Sequence, residues 1–364
     1  MKRHTGPVID ADRLHEVIAR ELDRCRADVV AVDGRLAGSV DLLVEFVSDG
    51  GKRLRPEFLW CGWLAGGGSS SGPEAGAVLR VAAAVELLQA CALVHDDVVD
   101  RSERRRGRPA THRAVAKQHV DASLAGDPEH YGVSVAVLLG DLALAWADDV
   151  FLAGAAELAA VPASAPVWRA MRTEVLAGQL LDLAVAASTE RDPAVQERDA
   201  LRVNRYKTAA YTVERPLHLG AALAGAPAPN VAALRRYGAD IGVAFQLRDD
   251  LLSVFGDPAI TGKPAGDDLA EGKRTVLLAT ARAALAADPA ALAELDDGVG
   301  RPGTDAGRLA DVIAGSGAVD AVEARITSLV RSGLAGLDGA GPELPGPVRA
   351  RLVELAGVAT ARTH

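Results

Sequence analysis

The run VAAAVELLQACALVH, Val81–His95, constrains the fold more than any other feature, because it leads straight into DDVVD and so sets Asp96, Asp97 and Asp100 at its end. From Val78 to Asp100 the pattern is helical and mostly apolar. The aspartates therefore cap a buried helix and face a cavity rather than bulk water. Asp96 and Asp100 are four residues apart, which places them on one helical face about 5–6 Å from each other. Like charges at that spacing repel unless a cation sits between them. Mg²⁺ suits such oxygen ligands, since it takes one or two carboxylates and completes its shell with water and substrate phosphate. The alternative for this cluster taken alone is a solvated helix end.

Composition supports a helical protein. Of 364 residues, 49% are hydrophobic, mostly Ala, Leu and Val, and only 4% are aromatic. Ala and Leu favour helix, while the β-branched and aromatic mixture of a sheet protein is thin. A net charge of -9 argues against nucleic acid or an anionic membrane surface as a partner. Cys25, Cys61 and Cys91 are too widely spaced to suggest zinc or a disulfide framework. The N-terminus, MKRHTGPVIDADRLHE, has no signal-peptide apolar core, and a reducing, cytoplasmic setting is expected. The most apolar segment, Ser134–Val161, contains Asp141, Asp148 and Asp149, so it reads as a core helix and no membrane span is expected.

Helices are expected over Asp10–Val32, Ser39–Ser48, from Pro56 onward, and over Ser134–Val161, Pro166–Ala187, Asp192–Ala224 and Val231–Val254. Loops are expected at Gly66–Gly76, Arg106–Pro109 and Asp121–Gly132. From Lys273 on, helices alternate with loops such as Asp296–Gly307. No internal repeat and no linker composition interrupts the chain. The expectation is one all-α domain over residues 1–364, with an N-terminal helix in 1–35 and C-terminal helices in 285–364.

Basic elements accompany two acidic clusters. Arg104, Arg105, Arg106 and Arg108 surround Gly107, and GGKRLRP supplies Lys52 and Arg55 beside Gly50 and Gly51. Guanidinium groups bind phosphate in a two-pronged manner, although such runs are also ordinary surface patches. The second acidic cluster is FQLRDDLLSVFGD, where Gln246 stands three residues before Asp249 and Asp250 follows. Lys263 and Lys273 lie in the glycine-containing stretch beyond it, and Lys207-Thr208 lies on another helix. Carboxylates, a divalent metal and basic side chains around a diphosphate is the most economical reading.

Together these elements resemble the trans-isoprenyl diphosphate synthase (polyprenyl synthetase) family, geranylgeranyl diphosphate synthases in particular. The resemblance runs from about Asp41 to Leu278 in the order GGKRLRP, ELLQACALVHDDVVD, RRGRPATH, Gly140-Asp141, YKT, FQLRDDLLSVFGD and GKPAGDDLAEGKRT. It implies a helical bundle around a deep central cavity, usually a homodimer. It implies that Asp96 and Asp100 hold two Mg²⁺ ions and Asp249 a third, with Asp97 and Asp250 in support. Arg105, Lys207 and Lys263 would grip the allylic diphosphate (dimethylallyl, geranyl or farnesyl). Thr208 and Gln246 would line the reacting region, and Lys52, Arg55, Gln89 and Arg106 would hold isopentenyl diphosphate. Ser253 stands where the family's second motif usually has a third Asp.

The chemistry implied is departure of diphosphate to leave an allylic cation, attack by the isopentenyl double bond, and loss of a proton to the released diphosphate. The resemblance also makes the residues four and five before Asp96, which are Ala92 and Cys91, the floor under the growing chain. Both are small, and Leu88 lies one turn deeper. The expected product is C20, geranylgeranyl diphosphate, with C25 or longer as the alternative and farnesyl diphosphate a further one. Two other readings are a class I terpene cyclase, whose NDxxSxxxE motif is missing here, and a non-catalytic subunit of a heteromeric synthase, which would tend to lack the aspartates that this chain keeps.

Overall fold

The computed structural model describes residues 8–257, 265–301, 303–339 and 344–360. Among them the chain is almost entirely helical, and the only strands are a two-residue pair. The first part runs α1 Ala11–Val32, α2 Ala37–Ser48, α3 Leu54–Ala65, α4 Gly72–Val99, β1 Arg104–Arg105, β2 Arg108–Pro109, α5 Thr111–Asp121 and α6 Pro128–Glu157. It continues with α7 Val161–Ala186, α8 Pro193–Val203, a π-helical segment Asn204–Glu214, α9 Arg215–Leu223 and α10 Ala228–Phe255. Further helices follow, among them Asp267–Glu271, Val276–Ala284 and Ala318–Gly336.

The chain groups into two compact units whose segments interleave in sequence. One comprises Met1–Arg172, Arg215–Leu234 and Ala340–Leu352; the other comprises Thr173–Glu214, Arg235–Gly339 and Val353–His364.

In the first unit α4 is the central element, packed by α1, α2, α3, α5, α6 and α9. Most of its side chains from Ala75 to Val94 are consequently buried, on all sides of the helix. This surrounds with protein a helix that is apolar nearly all round. Each buried Val or Leu contributes about 1.5–3 kcal/mol of transfer free energy. By length and composition α4 could cross a membrane, but most of it lies inside the unit. Glycines allow the closest approaches. A Cβ at Gly62 would run into the Leu217 carbonyl, and one at Gly220 into the Leu59 carbonyl, so α3 and α9 meet backbone to backbone.

In the second unit, Leu247, Leu251 and Val254 of α10 share a core with Leu277, Leu278, Ile313, Val322 and Ile326. Arg248 fastens this core, donating to both oxygens of Glu323 at 2.5 and 2.6 Å and to the Thr360 carbonyl at 2.9 Å.

Several boundaries differ from the sequence expectation. α4 begins at Gly72, with Pro73 in its first turn, where its missing N–H costs nothing. α6 begins at Pro128, capped by Asp127, whose side chain accepts from the Glu129 amide at 3.0 Å. α5 occupies Thr111–Asp121, a stretch assigned to neither helix nor loop from sequence. The expected continuous helix Asp192–Ala224 is instead α8, the π-helical segment and α9.

Candidate active site

The end of α4 carries the first acidic cluster. Asp97 is fully buried, Asp96 is mostly buried, and Asp100 is the C-cap, its amide donating to the Asp96 carbonyl at 2.8 Å. Arg105 reaches back from β1. Its Nε donates to Asp97 Oδ1 at 2.8 Å, and its Nη2 lies 3.2 Å from Asp96 Oδ2. Burial raises the Asp97 pKa, and the charge of Arg105 opposes that rise. Burial likewise works against the Arg105 charge, but Asp97 and Asp96 outweigh it and hold the guanidinium protonated.

β1 and β2 form a hairpin with Arg105 opposite Arg108. Its two central residues, Arg106 and Gly107, both have positive φ, at 51° and 76°. That is the geometry of a type I′ turn, whose twist matches the strands. The turn sets the Arg106 guanidinium over the Phe46 ring, 5.3 Å from its centroid, and within 3.4 Å of the Asp49 carbonyl. Its pKa is lowered, first by burial and then by the charges of Arg53, Arg105 and Arg55, against the pull of Glu86. Arg55, Arg105 and Arg106 thus belong to one cationic group, a field suited to a polyanion. Lys52 is exposed on the loop before α3, and Gln89 is half-buried on α4.

Deeper on α4, Leu88 and Cys91 are closed off, whereas Ala92 is partly open. Cys91 Sγ lies 3.7 Å from His95 Nδ1, and burial pushes its pKa up to about 12. His95 in turn lies 3.1 Å from the Val137 carbonyl and 3.6 Å from Asp141. A Cβ at Gly140 would collide with the His95 ring. The Gly140-Asp141 pair therefore seats the residue that precedes Asp96.

In the second unit, Lys207 and Thr208 are half-buried on the π-helical segment. Lys207 Nζ donates to Asp182 of α7 at 2.6 Å. Asp250 is buried, accepting from Gln246 at 2.7 Å and from Asn204 at 3.5 Å. Burial, together with the nearby Asp268 and Asp249 charges, raises its pKa to about 7. Asp249 is half-buried beside it in sequence. Gln246, three residues before Asp249, gives its hydrogen bond to Asp250, one helical turn on. Ser253, in the place of a third Asp, accepts from the Asp268 amide at 3.3 Å, and its carbonyl accepts from the Gly266 amide at 2.7 Å. It holds the returning chain. Lys273 pairs with Glu271 at 2.8 Å and Asp268 at 3.5 Å. Lys263 lies outside the described residues.

Among the described residues no three Asp, Glu, His or Cys side chains form a ready-made metal cage. Mg²⁺ does not require one, because water and substrate oxygens fill most of its shell. The α4 end fits that demand. It is rich in acceptors, and Asp97 Oδ2 is buried with no hydrogen-bond partner.

Three residues with clear roles escape motif reading. Arg53, at φ 51°, pairs with the buried Glu86 and donates to the Val47 carbonyl at 2.6 Å, locking the loop that carries Lys52 and Arg55. Asp182 engages Lys207, and Asn204 engages Asp250. Arg53 sits inside the GGKRLRP run, Asp182 and Asn204 on helical stretches, and in each case only the distant partner shows what the residue does.

Comparison with known proteins places these features in context. The family model described as polyprenyl synthetase matches residues 40–314. A geranylgeranyl diphosphate synthase of Mycobacterium tuberculosis is 36% identical over 260 residues, 68% of this chain and 65% of the relative. The chain thus spans just under two thirds of that relative's length. A geranylfarnesyl diphosphate synthase of Aeropyrum pernix is 33% identical, covering 80% of this chain and 83% of its own. Among solved structures, a geranylgeranyl pyrophosphate synthase from Corynebacterium glutamicum, complexed with isoprenyl diphosphate and magnesium, superposes with a TM-score of 0.89. It is 45% identical and covers 98% of this chain and 100% of its own.

Proposed function

The chain belongs to the polyprenyl synthetase family, and from that premise we propose that it condenses isopentenyl diphosphate with an allylic diphosphate to give a longer all-trans prenyl diphosphate, geranylgeranyl diphosphate first among the products. The observation that carries this reading is the buried α4 helix ending in Asp96, Asp97 and Asp100, with Arg55, Arg105 and Arg106 gathered in the same unit. Acidic and cationic groups at one apolar helix end suit a metal–diphosphate headgroup with a hydrocarbon tail.

In this reading Asp96 and Asp100 take Mg²⁺ together with the allylic diphosphate, Asp249 takes a further ion, and Asp97 and Asp250 support them. Mg²⁺, when bound, would neutralise the diphosphate and ease its departure. Arg105, Lys207 and Lys263 hold that diphosphate as its charge grows. Thr208 and Gln246 line the bond that ionises. Lys52, Arg55, Gln89 and Arg106 hold isopentenyl diphosphate so that its double bond meets the cation. The departing diphosphate takes the proton, so no protein base is required. The resemblance to the family further supports a cytoplasmic homodimer.

The test is incubation with Mg²⁺, isopentenyl diphosphate and each of dimethylallyl, geranyl and farnesyl diphosphate in turn, with the products sized. A C20 product is expected. Absence of any chain extension with all three primers would overturn the reading.

A further inference from the structure

The π-helical segment Asn204–Glu214 is held on two sides within the second unit. Along α10, the residues Arg235, Gly238, Gly242, Gln246 and Asp250 recur at helical spacing on one face, and the segment runs antiparallel to them. Glu214 meets Arg235 and Gly238, Ala209 meets Gly242, and Asn204 meets Asp250. A Cβ at Gly238 would lie 2.5 Å from Glu214 Cα, and one at Gly242 would lie 2.7 Å from Ala209 Cα. On the other side, a Cβ at Gly178 of α7 would strike the Lys207 backbone, while Asp182, one turn along, holds Lys207 Nζ. The backbone is thus closed off at Lys207 by α7, and at Ala209 and Glu214 by α10.

Glu214 closes this arrangement. It is 1% exposed. One carboxylate oxygen accepts from Arg235 Nε at 3.0 Å, and the other pairs with Arg205. Arg205 is the second residue of the segment and Glu214 its last, so their ion pair ties the first turn to the final one. A π-helix of this length is unusual, because such geometry normally lasts a single turn and reverts to α. The tie resists that reversion. Reversion would change the register of every residue between Arg205 and Glu214, including Lys207 and Thr208.

We propose that Glu214 is a positioning residue: clamped between Arg205 and Arg235, its carboxylate holds the π-helical register that presents Lys207 and Thr208 to the allylic diphosphate. The inference rests on the functional reading above for what Lys207 and Thr208 do, but the clamp itself is a matter of geometry alone.

Glu214→Gln in the full-length protein tests it. The substitution leaves two guanidinium groups facing an uncharged amide, which relaxes the tie. The expected result is a fall in kcat/KM for the allylic substrate of roughly 10- to 100-fold, with the KM for isopentenyl diphosphate unchanged and faster amide hydrogen exchange across residues 205–210. Glu214→Asp, which restores the charge, should recover part of the loss. A folded Glu214→Gln protein with unaltered allylic kinetics, or with both substrates affected equally, overturns the proposal. Should Glu214→Gln not fold, Arg235→Gln breaks only the α10 arm and must show the same split between substrates. If the wild type extends no primer, the functional reading fails, while hydrogen exchange in wild type and Glu214→Gln still decides whether the clamp exists.

Discussion

Lys207 Nζ donates to Asp182 Oδ2 at 2.6 Å, with both side chains mostly buried. A lysine assigned to a diphosphate is thus already oriented by a carboxylate on the neighbouring helix. Lys207→Ala should remove a charge-assisted hydrogen bond of about 1.5–3 kcal/mol, which raises the allylic KM by roughly 10- to 100-fold. The isopentenyl KM should not move. Arg55→Ala should give the opposite split. Steady-state kinetics with each substrate varied in turn checks both, and equal effects in both variants would reject the division of labour.

Asp96→Ala should lower turnover by orders of magnitude while leaving the helical fold intact. The substitution removes a proposed metal ligand and one side of a like-charge cluster, and Arg105 keeps its bond to Asp97. Its effect on unfolding free energy should therefore stay within about 1 kcal/mol. Circular dichroism melting beside the condensation assay separates the two effects. Near-normal condensation by a folded variant would remove Asp96 from the metal site.

Asp250 gives a pH dependence with a definite sign. Its pKa in the folded protein is about 7, above the ordinary value of 3.8. Between those values the folded state binds more protons than the unfolded chain, so stability falls as pH rises. The loss is complete above about pH 7. Without added metal, melting temperature should drop between pH 5 and pH 8. Asp250→Asn should flatten that slope, and an unchanged slope in the variant would show that other groups cause it.

Chain length should respond differently at two adjacent positions. Ala92 is partly open, whereas Cys91 is 1% exposed and packed beside His95. Ala92→Phe should shorten the product toward C15 in a stable protein. Cys91→Phe forces a ring into a filled core and should cost about 1–3 kcal/mol of stability. Product sizing by mass spectrometry together with thermal melts tests both. Unchanged product length in Ala92→Phe would place the floor elsewhere.

The helical class was legible from the Ala- and Leu-rich composition, and α1 was expected over Asp10–Val32 and found over Ala11–Val32. α5 was missed because its buried face, Thr111, His112, Val115, Ala116 and His119, is largely polar, so no apolar stripe marks it. The two units leave no trace in composition either. Their segments interleave along the chain, so no linker marks a boundary.

The sequence by itself determined which chemical groups are present and which lie near one another along a helix. Asp96 and Asp100 share a face because helical geometry repeats within four residues, and Leu88 lies one turn below Cys91 for the same reason. Tertiary structure decided the partners of the charges around the candidate site. Arg105 is engaged by Asp97 and Asp96, Arg53 by Glu86, Lys207 by Asp182, and Glu214 by Arg205 and Arg235. All but one of these pairings join residues from different elements. Their strength depends on how far the surrounding helices exclude water, and local spacing does not encode that. The π-helical register at Lys207 has the same origin: Gly178, Gly238 and Gly242 act only through the distant backbone that their missing Cβ atoms admit.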